Sequence, residues 1–219
     1  MSKKLKPGLF NASSPSIKFT DVLKAMENKG YALRARGEFD LNVVGVRRTK
    51  IKVDAFNDVL FAFFPYQGQW QYQKYQITTL PGYTYLAERL GNSKGTAILV
   101  PGHYKDKYEV RQHGSGGFAH QALCQKRTSG GYVSGIKVWR DDTLDAVPNP
   151  DTSKTYEGGG INIHRASASD CTVRVADYSA GCQVFRCVAE FDAFMTTTRR
   201  ARDAWGNTFS YTLLDEADL

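Results

Sequence analysis

The feature that most constrains this fold is a series of short segments between residues 56 and 140, each bounded by Gly or Pro turn signals. Short strands separated in this way favour a sandwich or barrel over parallel strand–helix–strand units. The predicted strands are 59–64, 70–77, 96–100, 107–110, 122–125, 135–139, 161–164, 173–175 and 209–213. We therefore expect a mainly β fold of the sandwich or barrel type.

Two helices are predicted, one near each end of the chain. Thr20 can cap a short helix that Gly30 is positioned to end. The second helix is predicted over 188–204, because its apolar residues fall at i, i+3 and i+7. These residues are Val188, Phe191 and Met195.

Charge divides the chain unevenly. The 219 residues carry a net charge of +7, and residues 1–54 hold twelve Lys or Arg against five acidic residues, whereas residues 55–219 hold seventeen of each sign. We interpret 1–54 as a basic extension, a helix followed by a hairpin within 39–53, and 55–219 as the principal domain with a long loop at 141–160. This distribution disfavours a uniformly basic nucleic-acid-binding domain and favours docking to an anionic wall or a partner protein.

The start of the chain and the number of cysteines bear on where the protein is made and on its redox state. The first thirty residues lack the apolar run of about 7–15 residues of a signal peptide, and no stretch is long enough to span a membrane. We therefore expect a soluble protein made in the cytoplasm. Four cysteines are too few for a disulfide scaffold, so reduced thiols are expected. They are Cys124, Cys171, Cys182 and Cys187.

The segments around His164 and Cys182 carry the most chemical information. Alternation in a strand over 161–164 would turn His164 away from the core and toward a groove. Cys182 follows Gly181, so the amides of both residues can point at one oxygen. A thiol within reach of an imidazole is the minimum for nucleophilic acyl transfer, and paired N–H groups would stabilise the oxyanion.

Other assignments for these residues are weaker. A zinc site from His164 and the three cysteines at 171, 182 and 187 would need four converging ligands, and the spacings fit no common structural site. No metal or cofactor is expected. Cys124 is interpreted as packing in its strand. The remaining histidines are interpreted as surface residues, with His113 a candidate for a groove rim: His103, His113 and His120.

The arrangement of His164, Ser179, Gly181 and Cys182 resembles the active-site signature of the L,D-transpeptidase (YkuD-like) family of cysteine enzymes. Segments 75–82 and 95–104 also resemble parts of that family's catalytic domain, so the resemblance spans about 55–190 and is specific at 161–183. It implies an L,D-transpeptidase-type β fold and a function for each residue. Cys182 would be the nucleophile, His164 its base and Ser179 a support for the His or the loop, while Gly181 and Cys182 would form the oxyanion hole.

Three positions depart from the family pattern. Arg165 stands where the family usually has Gly, Ala180 where it often has His, and Gln183-Val184 where an Arg commonly follows the Cys by two residues. The absence of that Arg removes the family's usual contact for a substrate carboxylate. Arg165 and Arg186 are the candidate substitutes for substrate binding.

The resemblance implies acyl transfer or hydrolysis on peptidoglycan stem peptides, with peptidoglycan and other virion or tail proteins as partners. The sequence as a whole, including residues 191–195 after the motif, also resembles uncharacterised proteins of phages and their bacterial hosts. Without a signal peptide, the protein would reach the cell wall in a virion or at lysis. The alternative is a virion structural or wall-binding protein that keeps the fold with reduced or no activity.

Overall fold

The computed structural model describes residues 16–88 and 90–219 and is mainly β, which confirms the predicted class. The start of the predicted basic extension, residues 1–15, lies outside the described residues. Eight strands close a barrel in the order β1-β13-β5-β6-β11-β12-β3-β2. They are β1 (Asn42–Arg47), β2 (Asp58–Tyr66), β3 (Gln69–Thr78), β5 (Gly102–His113), β6 (His120–Gln125), β11 (Ile163–Arg165), β12 (Gln183–Phe185) and β13 (Phe209–Asp215).

The remaining elements lie around the barrel. A three-stranded sheet has the order β10-β9-β4, and two very short strands form a second small sheet. These strands are β4 (Thr96–Leu99), β7 (Arg127–Thr128), β8 (Gly131–Tyr132), β9 (Lys137–Asp141) and β10 (Asp151–Glu157). The helices are α1 (Phe19–Asn28), α2 (Tyr83–Ala87) and α3 (Val188–Trp205). Within the described ranges, no helix has the length and apolarity needed to cross a membrane.

Strand β2 contributes side chains to two separate hydrophobic cores. Its first seven residues are all buried. Because side chains alternate across a strand, Leu60 and Ala62 join the main core, whereas Phe61 and Phe63 join a second cluster that α1 covers. A continuous apolar run is what a strand covered on both faces requires.

Strand β1 belongs to the barrel. It pairs in parallel with β13 and antiparallel with β2, so residues 39–53 contribute one barrel strand. The position of Gly45 in β1 reflects close packing, since a Cβ there would lie 2.0 Å from the Tyr211 hydroxyl. The predicted boundary after residue 54 thus falls between two adjacent strands of one barrel.

Helix α3 confirms the prediction over 188–204. It packs against β5, β6, β11 and β12. Its apolar face places Phe191 and Phe194 against Phe185 of β12, with ring centroids 5.4 and 5.0 Å apart. This contact fixes α3 beside the strand that follows Cys182.

Several local predictions are wrong. Thr20 does not cap α1, whose N-cap is Lys18. The helix instead starts at Phe19, whose ring packs against Phe63 and Tyr72 with centroids 5.1 and 4.5 Å away.

The predicted strands and loops also need correction. The predicted loop 141–160 contains β10, which pairs with β9, and residues 173–175 form no strand. Strand β12 and helix α2 were not predicted, because three- and five-residue elements carry too little periodicity to detect.

The expectation that all thiols are reduced is also wrong. Cys171 and Cys187 form a disulfide, and their backbones make an isolated antiparallel bridge. The bond joins the loop before Cys182 to the residue that precedes α3. It also removes two of the four ligands of the alternative zinc site. Cys124 is free and buried in β6, in agreement with the packing interpretation.

Candidate functional site

The turn that presents Cys182 is held by its own residues. Ser179 Oγ donates to the Cys182 carbonyl at 2.9 Å and accepts from the Gly181 N–H at 3.2 Å. Gly181 has a φ of +120°, and a Cβ there would lie 2.4 Å from the Ala97 carbonyl oxygen of β4. The structure therefore places Ser179 as a support for the loop, and the turn requires glycine at 181.

The two predicted oxyanion donors differ in availability. The Gly181 N–H is already bonded to Ser179. The Cys182 N–H has no hydrogen-bond partner within residues 16–88 and 90–219. Of the predicted pair, the Cys182 amide is therefore the donor free to meet a ligand oxygen.

The Cys182 turn is also anchored from inside the barrel, which the sequence did not reveal. Gln183 is fully buried. Its Nε2 donates to the Gly181 carbonyl at 3.3 Å, and its Oε1 accepts from the Tyr211 hydroxyl at 3.0 Å. A glutamine in an otherwise apolar strand directly after the Cys is the signal that points to this role.

The Cys182 thiol is neutral at rest. Its Sγ donates to the Gly160 carbonyl oxygen at 3.3 Å and accepts from the Asn162 N–H at 3.4 Å. Burial raises the pKa of this thiol to about 11, although the Asn162 N–H opposes the shift. An activated thiolate is thus absent from the resting geometry.

His164 is oriented by the backbone. Its Nδ1 lies 2.8 Å from the Arg165 carbonyl oxygen, and a carbonyl only accepts, so the proton sits on Nδ1 and Nε2 keeps a free lone pair. Burial, together with the neighbouring His113, lowers the pKa of His164 to about 3. The ring is therefore neutral at pH 7, so Nε2 can accept a proton, but a pKa far below 7 makes it a weaker base than a free imidazole.

The register places the two residues on one side of the sheet. β11 and β12 are parallel, with His164 opposite Val184. Alternation then puts Cys182 on the same side as Val184 and His164, about 7 Å further along the strand axis. No hydrogen bond joins Cys182 to His164 in the part of the chain that the structure describes.

His113 and His120 are not isolated surface residues. They pair across the β5–β6 hairpin, and the His113 ring stacks on His164 with centroids 4.2 Å apart. Asn162 Nδ2 lies 3.2 Å from His113 Nδ1, while Asn162 Oδ1 accepts from the Gln125 N–H at 3.0 Å. The Asn162 amide therefore donates to His113, which carries its own proton on Nε2.

This histidine cluster had a sequence signal. His113 and His120 flank the Gly-rich segment 114–117, so a hairpin with its turn there would pair the two rings. His103 lies elsewhere, half-buried against Tyr31 and bonded to Thr212 Oγ1 at 2.8 Å. The described residues contain no group of three or more His, Cys, Asp or Glu side chains arranged to hold a metal ion.

The two candidate substrate arginines have different surroundings. Arg186 is engaged, since its Nε donates to the Thr172 carbonyl at 2.9 Å and its Nη1 to Gln76 Oε1 at 3.0 Å. Arg165 follows His164 and lines an open groove between β6 and α3. Of the two, only Arg165 borders that groove.

Comparison with known proteins gives no relative for this chain. No family model, curated protein or solved structure matches it. The likeness to L,D-transpeptidases therefore depends on the motif residues alone.

Proposed function

We propose that the protein catalyses cysteine-dependent acyl transfer or hydrolysis on peptidoglycan stem peptides, in the manner of an L,D-transpeptidase or L,D-peptidase. The observation that carries this proposal is the His164 hydrogen bond to the Arg165 carbonyl. It leaves Nε2 as an unprotonated base on the side of the sheet that also bears Cys182. The spacing of His164, Ser179 and Cys182 supports the proposal further, because it resembles the active-site signature of the L,D-transpeptidase family.

The reaction starts from a neutral thiol and a neutral imidazole. Substrate entry displaces Sγ from the Gly160 carbonyl, and the thiol proton passes to His164 Nε2 as Sγ attacks the peptide carbonyl carbon. The Cys182 N–H donates to the oxyanion that develops. His164 then returns the proton to the departing amine, and a thioester to Cys182 remains.

The thioester has two possible acceptors. An amine yields a cross-link, and water yields a shortened peptide; in both cases His164 takes the acceptor's proton and the thiol is restored. In this proposal the protein acts at the cell wall. It reaches the wall either as part of a phage particle or by release when the host cell lyses.

The test is turnover of purified disaccharide tetrapeptides, followed by mass spectrometry for release of D-Ala or for cross-linked dimers. Cys182→Ala is expected to lower turnover by about a thousandfold or more, because the nucleophile is lost. Cys124→Ala is the matched control, since Cys124 is the other free thiol. Wild-type turnover in Cys182→Ala would end the proposal.

A second candidate is a virion structural or wall-binding protein with the same fold. The resting thiol favours it, because the Sγ proton is held by the Gly160 carbonyl and burial raises the thiol pKa to about 11. Binding of wild-type protein to purified sacculi with no turnover of any muropeptide would support this candidate over the enzyme.

A further inference from the structure

Exposed apolar and basic side chains come together where three segments of the chain meet. These segments are the β1–β2 loop, the start of α2 and the loop between β11 and β12. The Asp54 carboxylate joins them, because it accepts hydrogen bonds from the backbone N–H groups of Tyr83 and Ala176. It also accepts from Arg174 Nε. We call the exposed surface around this junction the loop patch: Lys50, Ile51, Lys52, Val53, Val173 and Arg174.

The apolar members of the loop patch face water. Val173 is 79% exposed, and Ile51 and Val53 are 46% and 41% exposed. Val175, two residues after Val173, is fully buried in one cluster with Val184. The core therefore holds this segment through Val175 and leaves Val173 free to meet a partner. A group of exposed apolar side chains with basic residues around it marks an interaction surface.

The basic members give the loop patch a positive side. Lys50 and Lys52 are exposed, and neither ammonium makes an ion pair with a carboxylate within residues 16–88 and 90–219. Arg174 pairs with Asp54, whose side chain is 7% exposed. Two exposed acids flank the third segment: Asp170 and Asp177. The uncompensated positive charge therefore lies on residues 50–52.

We infer that the loop patch docks on the surface of an anionic lipid bilayer. Ile51, Val53 and Val173 enter the headgroup region, while Lys50 and Lys52 contact lipid phosphates. Apolar side chains next to basic ones suit this surface, because the apolar groups leave water while the cations meet the charged headgroups. A hydrated polyanion would use the lysines and gain nothing from Val173, so the mixture favours lipid. The inference goes beyond the proposed function and does not rest on it.

The test is flotation of the full chain with two kinds of vesicle, one of phosphatidylcholine alone and one of phosphatidylcholine mixed with phosphatidylglycerol. Half of the wild-type protein is expected to bind the mixed vesicles at a lipid concentration about tenfold below that needed with phosphatidylcholine alone. Added salt should weaken this binding without abolishing it, because salt screens the lysines and leaves the apolar contact in place.

Variants separate the two contributions. Lys50→Gln combined with Lys52→Gln is expected to raise the half-saturating concentration of mixed vesicles about tenfold, because two phosphate contacts are lost. Val173→Ser is expected to raise it about threefold, because the apolar contact is lost. Val173→Trp is expected to lower it about threefold, since Trp favours the bilayer interface. A gain of binding cannot come from misfolding, so this variant keeps the test decisive.

Two matched controls remove similar side chains from other elements. Lys154→Gln neutralises an exposed lysine on β10. Phe118→Ser removes an apolar side chain that is 82% exposed in the turn between β5 and β6. Both control variants are expected to bind the mixed vesicles as the wild type does, because neither residue belongs to the loop patch.

The inference is overturned if wild-type protein does not bind the mixed vesicles, or if the loop-patch variants bind like the two controls. Binding of soluble polyphosphate as tight as that of vesicles, with no effect of Val173→Ser, would show that the partner is a polyanion. A dimer in light scattering that Val173→Ser disrupts, without vesicle binding, would show that a second copy covers the patch. Failure of the proposed enzyme activity would leave all these binding results intact.

Discussion

The imidazole rings of His113 and His164 stack with their centroids 4.2 Å apart and their planes inclined by 25°. Hydrogen bonds assign a different tautomer to each ring. Asn162 donates to His113 Nδ1, whereas His164 donates from Nδ1 to the Arg165 carbonyl. The stack therefore holds two neutral rings, and protonation of either one disfavours protonation of the other.

This stack predicts acid sensitivity. Burial is the largest cause that lowers the pKa of His113 to about 4 and that of His164 to about 3, from an ordinary value of 6.5. The unfolded chain binds these protons first, so the stability is fully present above pH 6.5 and is lost as pH falls toward 3–4. The buried His164 is expected to lower the free energy of unfolding by about 1.5 kcal/mol between pH 6.5 and 5, and the partly exposed His113 by less than that.

The measurement is the free energy of unfolding from urea titrations across that pH range. His113→Phe keeps a stacked ring that does not titrate, so its stability should fall less steeply than that of the wild type. The buried Asp58, whose pKa burial raises, acts in the opposite direction in both proteins and cancels in the difference. Identical pH slopes for the two proteins would contradict the prediction.

Gly181→Ala is expected to destabilise the protein by about 2–3 kcal/mol, because the φ of +120° is strained for alanine and its Cβ would collide with the Ala97 carbonyl. The measurement is the free energy of unfolding in urea. Gly117→Ala is the matched control, since nothing lies within 4 Å of a Cβ there and its φ is not positive. Equal losses in the two variants would show that the Cys182 turn tolerates a side chain.

Tyr211→Phe is expected to cost about 1–2 kcal/mol, because Gln183 Oε1 would lose its donor inside the barrel. Tyr72→Phe is the comparison, because Tyr72 is 53% exposed. If the proposed function holds, Tyr211→Phe should also lower turnover through the loosened Cys182 turn. Unchanged stability relative to Tyr72→Phe would remove Tyr211 as an anchor of that turn.

The disulfide between Cys171 and Cys187 should stabilise the fold by about 3 kcal/mol, since it closes a loop over a sequence separation of 16. Urea unfolding with and without dithiothreitol measures this difference. Thiol titration of denatured protein should find two reactive thiols before reduction and four after it. Four thiols before reduction would show that the bond is absent from the purified protein.

Local sequence signals were enough for the class of fold and for its longer elements. Alternation and turn residues predicted β2, β3 and β13, and helical periodicity predicted α3, because each is long enough to show its period. The sequence also singled out Cys182 and His164 as the candidate nucleophile and base. The sequence singled out Gly181 as an oxyanion donor, whereas the structure shows that the turn requires glycine there for its positive φ and its close approach to Ala97.

Only the tertiary structure decided how these parts meet. Barrel closure brings β1 beside β13 across most of the chain, and no local pattern encodes that pairing. The same closure stacks His113 on His164, places Gln183 under the Cys182 turn and joins Cys171 to Cys187. These contacts join residues that are distant in sequence, so their energies depend on strand register and burial. The elements that the sequence predicted depend instead on the spacing of apolar residues that are close together along the chain.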